Sequence, residues 1–589
     1  MDVFRVLTMI GGLALFLYGM HTMSDGLSKL SGGHLENILE KLTSGPVRAV
    51  LLGAGVTAVI QSSSATTVMI VGFVNSGIMK LSQAIGIIMG ANVGTTVTSW
   101  ILSLSGIEGS NLFLKLLKPS SFSPILAVIG VALIMFSKEE KKRDVGNILA
   151  GFAILMFGME TMSDSVAPLA DIPEFTGILT MFSNPLMGIL AGALLTAVIQ
   201  SSSASVGILQ ALSVTGAVSF SSAVPIILGQ NIGTCVTALL SAAGANKNAK
   251  RAAFVHLYFN MIGSLLFMTV FYTANAVMGF DFMNDAVGPA DIAVVHSIFN
   301  LSATFVLLPF TKLLEKLAYL TIPDAPGVKP GEAKETYTLL DERFLSSPGF
   351  AVTQCKNVAS EMAEMALKAF VISLELLGKY QEEKAQEVIR LENQVDLYED
   401  ELGSYLLKLS DNDVTTKDSR TMNLILHCMN DFERISDHAV NVMESAKELY
   451  EKQLVFSEKA QKELQIYSEA LKDILYMAVY TFQKEHLPTA YEIEPLEEVI
   501  DHLSEKLRDK HINRMRKGKC TIEMGFVLTD ITTNFERVAD HCSNVGICLI
   551  EVSKNEYETH GYALNVKEQD IAEFNEKCLH YEQKYALPE

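Results

Sequence analysis

Gln61-Ser62-Ser63-Ser64-Ala65 returns 139 positions later as Gln200-Ser201-Ser202-Ser203-Ala204, and each copy lies inside a long apolar stretch. Four consecutive uncharged polar side chains are out of place in the middle of a membrane segment, where every unpaired polar group is costly. They are tolerated where they face protein, water or a ligand. Two copies at corresponding positions point to one binding site built from two halves.

The match extends well beyond the serines. Gly19-Met20 pairs with Gly158-Met159, and Thr22-Met23-Ser24-Asp25 with Thr161-Met162-Ser163-Asp164. Downstream, Gly90-Ala91-Asn92-Val93-Gly94-Thr95 pairs with Gly229-Gln230-Asn231-Ile232-Gly233-Thr234, and Thr98 with Thr237. A common register over roughly eighty residues marks an internal duplication, with repeat one at about 5–104 and repeat two at about 144–243.

Charge and hydropathy divide the chain near residue 320. The first part carries almost all the long apolar runs, with 16 basic and 16 acidic residues; the rest has 30 basic and 50 acidic, so the net −20 resides there. An acidic surface excludes nucleic acid as the expected partner, since that partner requires a basic face. The seven cysteines are odd in number and contain no CxxC, which fits a reducing compartment and neither a disulfide framework nor a zinc site. Val3 to Met20 has no preceding basic run and matches the start of repeat two, so it reads as a retained span.

Apolar runs at about 3–21, 82–104, 123–137, 145–163, 221–243, 252–278 and 290–312 read as spans, some short of the roughly twenty residues a crossing requires. Segments 46–79 and 185–218 differ: each opens at a proline (Pro46, Pro185) and is interrupted by the QSSS motif. Two half-membrane helices meeting at the serines would satisfy the backbone, making each a re-entrant hairpin. Three full crossings then separate Gly19 from Gly158, so the repeats are inverted relative to one another. Lys138, Lys141, Lys142 and Arg143 share one loop, Lys247, Lys250 and Arg251 another, and Lys29, Lys41 and Arg48 follow the first span. The loop 279–291 has only Asp281, Asp285 and Asp291 as charges. The positive-inside rule places the basic loops and the soluble domain in the cytoplasm of a multi-pass cell-membrane protein. The two hairpins would enter from opposite sides.

At each hairpin tip a starting helix presents unpaired N–H groups and a positive dipole end, which suit an anion. The ending helix presents carbonyl oxygens that, with Gln and Ser oxygens, suit sodium. Coupled sodium–anion transport is the expected activity. The candidate sodium ligands are Gln61, Ser64, Asn92, Thr95, Thr96, Gln200, Ser203, Asn231 and Thr234. Gly90, Gly94, Gly229 and Gly233 are expected either to loosen the neighbouring spans or to let helices pack closely. A smaller echo, His256 and Asn260 against His296 and Asn300, reads as interhelical hydrogen bonding.

The duplicated QSSS hairpins and the paired GANVGTT and GQNIGTC segments resemble the type II sodium–phosphate cotransporters, closely their bacterial branch, over about residues 5–315. The resemblance implies inorganic phosphate between Gln61, Ser62, Ser63, Ser64 and Gln200, Ser201, Ser202, Ser203, with sodium beside it. It also implies alternating access through movement of the hairpin-bearing core.

Past a proline-rich stretch, helical patterns dominate. Asn430-Asp431-Phe432-Glu433-Arg434-Ile435-Ser436-Asp437-His438 parallels Thr533-Asn534-Phe535-Glu536-Arg537-Val538-Ala539-Asp540-His541, and Leu391-Glu392 to Asp396 parallels Leu496-Glu497 to Asp501. These repeats predict two related three-helix bundles. Glu and Asp four apart share a helix face and suit hard metals, or else form a solvated face neutralised by Arg434 and Arg537. This half resembles the PhoU family of phosphate-signalling regulators over about 345–560. The resemblance implies a divalent or transition-metal site at Glu433, Asp437, Glu536 and Asp540, opposite Glu392, Asp396, Glu497 and Asp501.

The expected protein is all-α: a polytopic membrane domain (1–319, with extra helices at 252–318) containing inverted repeats and two re-entrant hairpins, a linker (320–350), a cytoplasmic PhoU-like domain (351–560) and a tail (561–589). It is expected to be a sodium-coupled phosphate transporter regulated from inside, with a phosphate exporter or a membrane-bound phosphate sensor as alternatives. No nucleophile–base arrangement appears in the membrane half, so no enzyme is expected. Membrane lipid, a second copy of the chain and phosphate-signalling proteins complete the expected partners.

Overall fold

Long apolar runs and long amphipathic runs both satisfy their backbone most economically as helix, and the computed structural model is helical almost throughout. It describes residues 3–31, 45–106, 119–168, 172, 177, 179–324, 340–412, 414–554 and 571–588. Among these, the only β pairing is one isolated bridge, Ser219 to Ala286. The chain divides into two compact units, Met1–Phe350 and Ala351–Glu589.

In the first unit, α1 (Val3–Ser31), α2 (Pro46–Ile60), α3 (Ser63–Asn75) and α4 (Leu81–Ser103) make repeat one. After α5 (Pro119–Phe136), repeat two follows as α6 (Glu140–Val166), α7 (Pro185–Ile199), α8 (Ser202–Ser213), α9 (Phe220–Gly233) and α10 (Cys235–Ser241). α11 (Lys247–Met278), α12 (Pro289–Leu307) and α13 (Thr311–Thr321) complete it. Among the described residues, six segments are long and apolar enough to cross a membrane: α1, α4, α6, α9 with α10, α11, and α12 with α13. The run expected at 123–137 falls outside this set because it forms a shorter apolar helix, with Pro124 in its first turns.

The helices pack in close pairs. The counterparts α1 and α6 lie antiparallel along one another, α2 lies along α4 within repeat one, and α7 lies along α9 within repeat two. These contacts account for the paired glycines. A Cβ on Gly90 would stand 2.1 Å from the Val50 carbonyl oxygen, and one on Gly229 would stand 2.0 Å from that of Ile189. Gly94 and Gly233 face Ala54 and Ala193 in the same way, at 2.5 and 2.4 Å. Close packing is therefore their role in both repeats. The expected loosening is absent from α4, which runs through Gly90 and Gly94 unbroken; in repeat two the helix is interrupted at Thr234.

The second unit holds α14 (Pro348–Gly378, whose first three residues belong to unit one), α15 (Glu382–Ser410) and α16 (Thr416–Glu451). Their counterparts are α17 (Glu458–Lys484), α18 (Leu487–Arg516) and α19 (Ile522–Lys554). The two three-helix groups join along α16 and α19. The expected tail contains a further helix, α20 (Ile571–Lys584), held to this unit by Lys584 with Asp473 at 2.6 Å and by Lys577 with Glu492 at 2.9 Å. Of the expected linker, 325–339 lies outside the described residues, whereas 340–350 folds as part of the first unit.

Candidate functional site

Each QSSS motif breaks its helix by the same local device. Gln61 (φ 61°) and Gln200 (φ 59°) adopt the left-handed conformation, and their backbone N–H groups close the preceding turn on Thr57 and Thr196. The following serine caps the next helix: Ser62 Oγ accepts from Ala65 N and Ser201 Oγ from Ala204 N, both at 3.2 Å. A left-handed residue followed by an N-cap reverses the chain with few orphaned backbone groups. At 15 residues each, α2 and α7 reach only about 22 Å, short of a hydrocarbon core of about 30 Å.

The two breaks meet. Ser63 Oγ and Ser202 Oγ lie 3.3 Å apart, both buried, and Ser64 Oγ donates to the Gln200 carbonyl oxygen at 3.3 Å. Equivalent first-turn serines of two helix N-termini thus touch at one point. Ser203 is buried in the first turn of α8. The Gln61 amide nitrogen donates to the Ala58 carbonyl, while its Oε1 is buried without a hydrogen-bond partner among the described residues. The end of α2 is more fully bonded than the sequence suggests: the carbonyls of Thr57, Ala58 and Ile60 all accept, the last from Ser24 Oγ at 2.6 Å.

The other candidate cation ligands turn elsewhere. Asn92 donates to Asn260 Oδ1 at 2.7 Å, and Asn260 reaches the Cys235 sulfur at 3.4 Å. Thr95, Thr96 and Asn231 bond to carbonyls within their own helices, and Thr234 to the Gln230 carbonyl of α9. No hydrogen bond joins these five to a QSSS tip among the described residues. His296 Nδ1 bonds Ser99 Oγ at 2.9 Å, an interhelical bond of the expected kind. The His256 ring has no partner among the described residues, and the repeat-two position that corresponds to Ser99 is Ala238, which has no hydroxyl to offer.

Two residues beneath the tips escaped the sequence reading. Thr57 Oγ1 donates to Thr66 Oγ1 at 3.1 Å, tying α2 to α3, and Ser24 caps the end of α2. The repeated Thr22–Asp25 segment was a signal for Ser24, but nothing local showed which helix end it reaches.

In the second unit, six of the eight candidate metal ligands gather in two triads. Glu392, Asp396 and Asp437 form one, and Glu497, Asp501 and Asp540 the other, with one oxygen from each residue within 4.8 Å of the others in its triad. Glu433 and Glu536 do not join them. Glu433 lies 3.4 Å from the Arg434 guanidinium, which is also 3.3 Å from Asp437 of the first triad, as Arg537 is 3.6 Å from Asp540 of the second; Glu536 is bonded at 2.6 Å by Arg508, a residue outside the motif. The second triad opens on a cavity of about 400 Å³ lined also by Glu494, Arg537 and His541. Burial, then the neighbouring carboxylates, pushes the Glu497 pKa up to about 8 and that of Asp501 to about 6. Glu392 and Asp396 shift upwards for the same reasons, and burial raises Asp540 against the opposing pull of Arg537. Carboxylates that resist ionising together are suited to sharing a cation. The residues present therefore fit a hard divalent ion.

The sequence profile of the Na+/Pi-cotransporter family matches residues 15–164 and again 155–287. YqeW of Bacillus subtilis, an uncharacterised protein, is 30% identical over 312 residues, which cover 96% of YqeW and 53% of this chain. The chain belongs to the Na+/Pi-cotransporter family. The family is one of transporters, not enzymes, and the duplicated profile match follows the duplicated QSSS segments. This Na+/Pi-cotransporter family member also matches the PhoU domain profile twice, over 359–446 and 464–548, one match for each three-helix group. YjbB of Salmonella typhimurium, a candidate inorganic phosphate export protein, is similar over both units: 24% identity over 572 residues, 95% of this chain and 99% of YjbB. The rat sodium-dependent phosphate transport protein 2A is 40% identical over 103 residues, 17% of this chain and 16% of that protein.

Proposed function

We propose that this protein carries inorganic phosphate across the cell membrane together with sodium, at the point where the two QSSS breaks meet. A C-terminal unit facing the cytoplasm would regulate it. The observation that supports this most directly is the 3.3 Å contact between Ser63 and Ser202, which brings two helix N-termini to one place. Hydroxyls that close leave no room for a phosphate oxygen between them. Phosphate would therefore part the pair and take over their donors, coupling binding to movement of the two hairpins. The buried, unpaired Gln61 Oε1 supports a cation beside it. The basic loops support entry of hairpin one from the cytoplasm and hairpin two from outside, in inverted repeats.

Purified protein in liposomes tests the coupling. Each tenfold sodium gradient supplies about 1.4 kcal/mol per ion, enough for a roughly tenfold phosphate gradient per sodium carried. Labelled phosphate should accumulate when sodium is high outside and should not when the gradient is collapsed. Accumulation indifferent to sodium would sink the coupling while leaving transport intact. The full-length likeness to YjbB favours a second reading, net export. Liposomes loaded with phosphate separate the two: export unaided by outward sodium flow supports the second.

The acidic triads support a divalent-metal site in the regulatory unit. Asp437→Asn and Asp540→Asn should each lower the bound manganese or iron of the full-length protein, whereas Glu433→Gln and Glu536→Gln should not, because neither of those carboxylates joins a triad. A metal at 100 times its dissociation constant stabilises by about 2.7 kcal/mol. The melting-temperature rise it causes should vanish in the Asp437→Asn, Asp540→Asn double variant. Equal metal content in all five proteins would leave the triads as a solvated face.

A further inference from the structure

The stretch 340–350 is the last part of the first unit before α14 carries the chain onward, and it is docked rather than loose. Phe344 and Phe350 are fully buried, and both rings pack on Phe73 of α3, with centroids 5.5 and 5.0 Å away. Asp341 is 2% exposed; its Oδ2 accepts from Asn75 Nδ2 and from Arg343 Nη1, both at 2.6 Å. Arg343 Nε reaches across to the Ser241 carbonyl oxygen at 2.9 Å. Asn75 is the last residue of α3, and Ser241 is the last residue of α10 in repeat two. Asn246, which caps α11, completes the join by donating to Asn75 Oδ1 and to its carbonyl. A buried carboxylate and an arginine therefore bridge the ends of two elements from different repeats.

The docking is specific to one hairpin. Its floor is Gly72, where a Cβ would lie 2.8 Å from the Phe344 ring. Repeat two has Ala211, Leu212 and Val214 at the positions of Gly72, Phe73 and Asn75, so it lacks the gap, the aromatic ring and the amide. An internal duplication that differs at this one end, and meets a buried charged segment there, points to a constraint on one hairpin alone.

We propose that residues 340–350 form a latch that fastens the Asn75 end of hairpin one to the Ser241 end of α10, and that phosphate transport requires its release. The proposal rests on the transport reading above. It gives the second unit a means of control, since α14 begins inside the latch and any pull along that helix acts on Phe350.

Covalent locking tests it. The Cβ positions of Gly72 and Arg343 lie 3.4 Å apart, close to the roughly 3.5 to 4.5 Å of a disulfide. In the full-length Gly72→Cys, Arg343→Cys protein, oxidation should lower phosphate flux in liposomes by roughly tenfold or more, and dithiothreitol should restore it, if coupling follows the usual range. Each single variant should be indifferent to oxidant. A crosslinked protein that transports at its reduced rate overturns the latch. Independently, Asp341→Asn should raise initial flux by roughly fivefold or more, the lower part of that range, and should speed trypsin cleavage after Arg343. Wild-type flux and wild-type cleavage in Asp341→Asn also overturn it. If the wild-type protein moves no phosphate under any gradient, the transport reading fails instead, and crosslink yield and cleavage still report whether the segment is docked.

Discussion

Replacing Ser63 and Ser202 together with alanine is expected to lower phosphate flux by roughly two to four orders of magnitude. The two hydroxyls are the equivalent first-turn donors of α3 and α8, and they meet at 3.3 Å. A hydrogen bond to a charged group contributes about 1.5 to 3 kcal/mol, so losing one from each side removes about 3 to 6 kcal/mol of anion binding. The fold should survive, since each helix keeps its cap through Ser62 and Ser201 and the pair forms only one weak bond in the free protein. Each single variant should lose about half of the free energy. A double variant that retains wild-type flux would move the anion site away from the tips. Monodisperse protein with an unchanged melting temperature distinguishes loss of binding from loss of fold.

Gly229→Val is expected to leave no folded membrane unit, and Gly90→Val to do the same from the other repeat. Their Cβ atoms would sit 2.0 and 2.1 Å from carbonyl oxygens of the facing helix, where backbone, unlike a side-chain tip, cannot step aside. Contact needs about 3.4 Å, so α7 and α9, or α2 and α4, would have to separate along their whole length. Ordinary overpacking costs about 1 to 3 kcal/mol; here packing along a helix pair is lost as well, and the effect should exceed that range. Gly55 supplies the control. It lies on α2 with nothing within 4 Å of its added Cβ, and Gly55→Ala should melt at the wild-type temperature. Normal expression and melting of Gly229→Val would mean that the α7–α9 contact is looser than described.

These two experiments probe features of opposite legibility. The QSSS break was legible because its causes are local: a residue in the left-handed conformation, a serine cap three residues before the amide it accepts from, and apolar helix on both sides. The glycines were legible as glycines only. Whether Gly90 bends a helix or admits a neighbour depends on what faces it, and Val50 faces it. The same holds for Asn92, whose sequence context suited a cation site but whose amide bonds Asn260 of α11. In the second unit, four-residue spacing put each Glu and Asp on one helix face. It did not settle which of them meet. Packing of α15 against α16, and of α18 against α19, brought Asp437 and Asp540 into triads and left Glu536 to Arg508.

The sequence by itself determined the duplication, the helical class, the division into an apolar and an acidic half, and the position of both helix breaks. All of these follow from periodicity, composition and short-range backbone chemistry. Only the tertiary structure decided that the two breaks touch through Ser63 and Ser202, that six and not eight carboxylates converge, and that Asp341, Phe344 and Phe350 lie buried against α3. Each of those is a meeting of residues distant in the chain. Side-chain volume and hydrogen-bond geometry across a packed interface select such partners, and no local pattern encodes them.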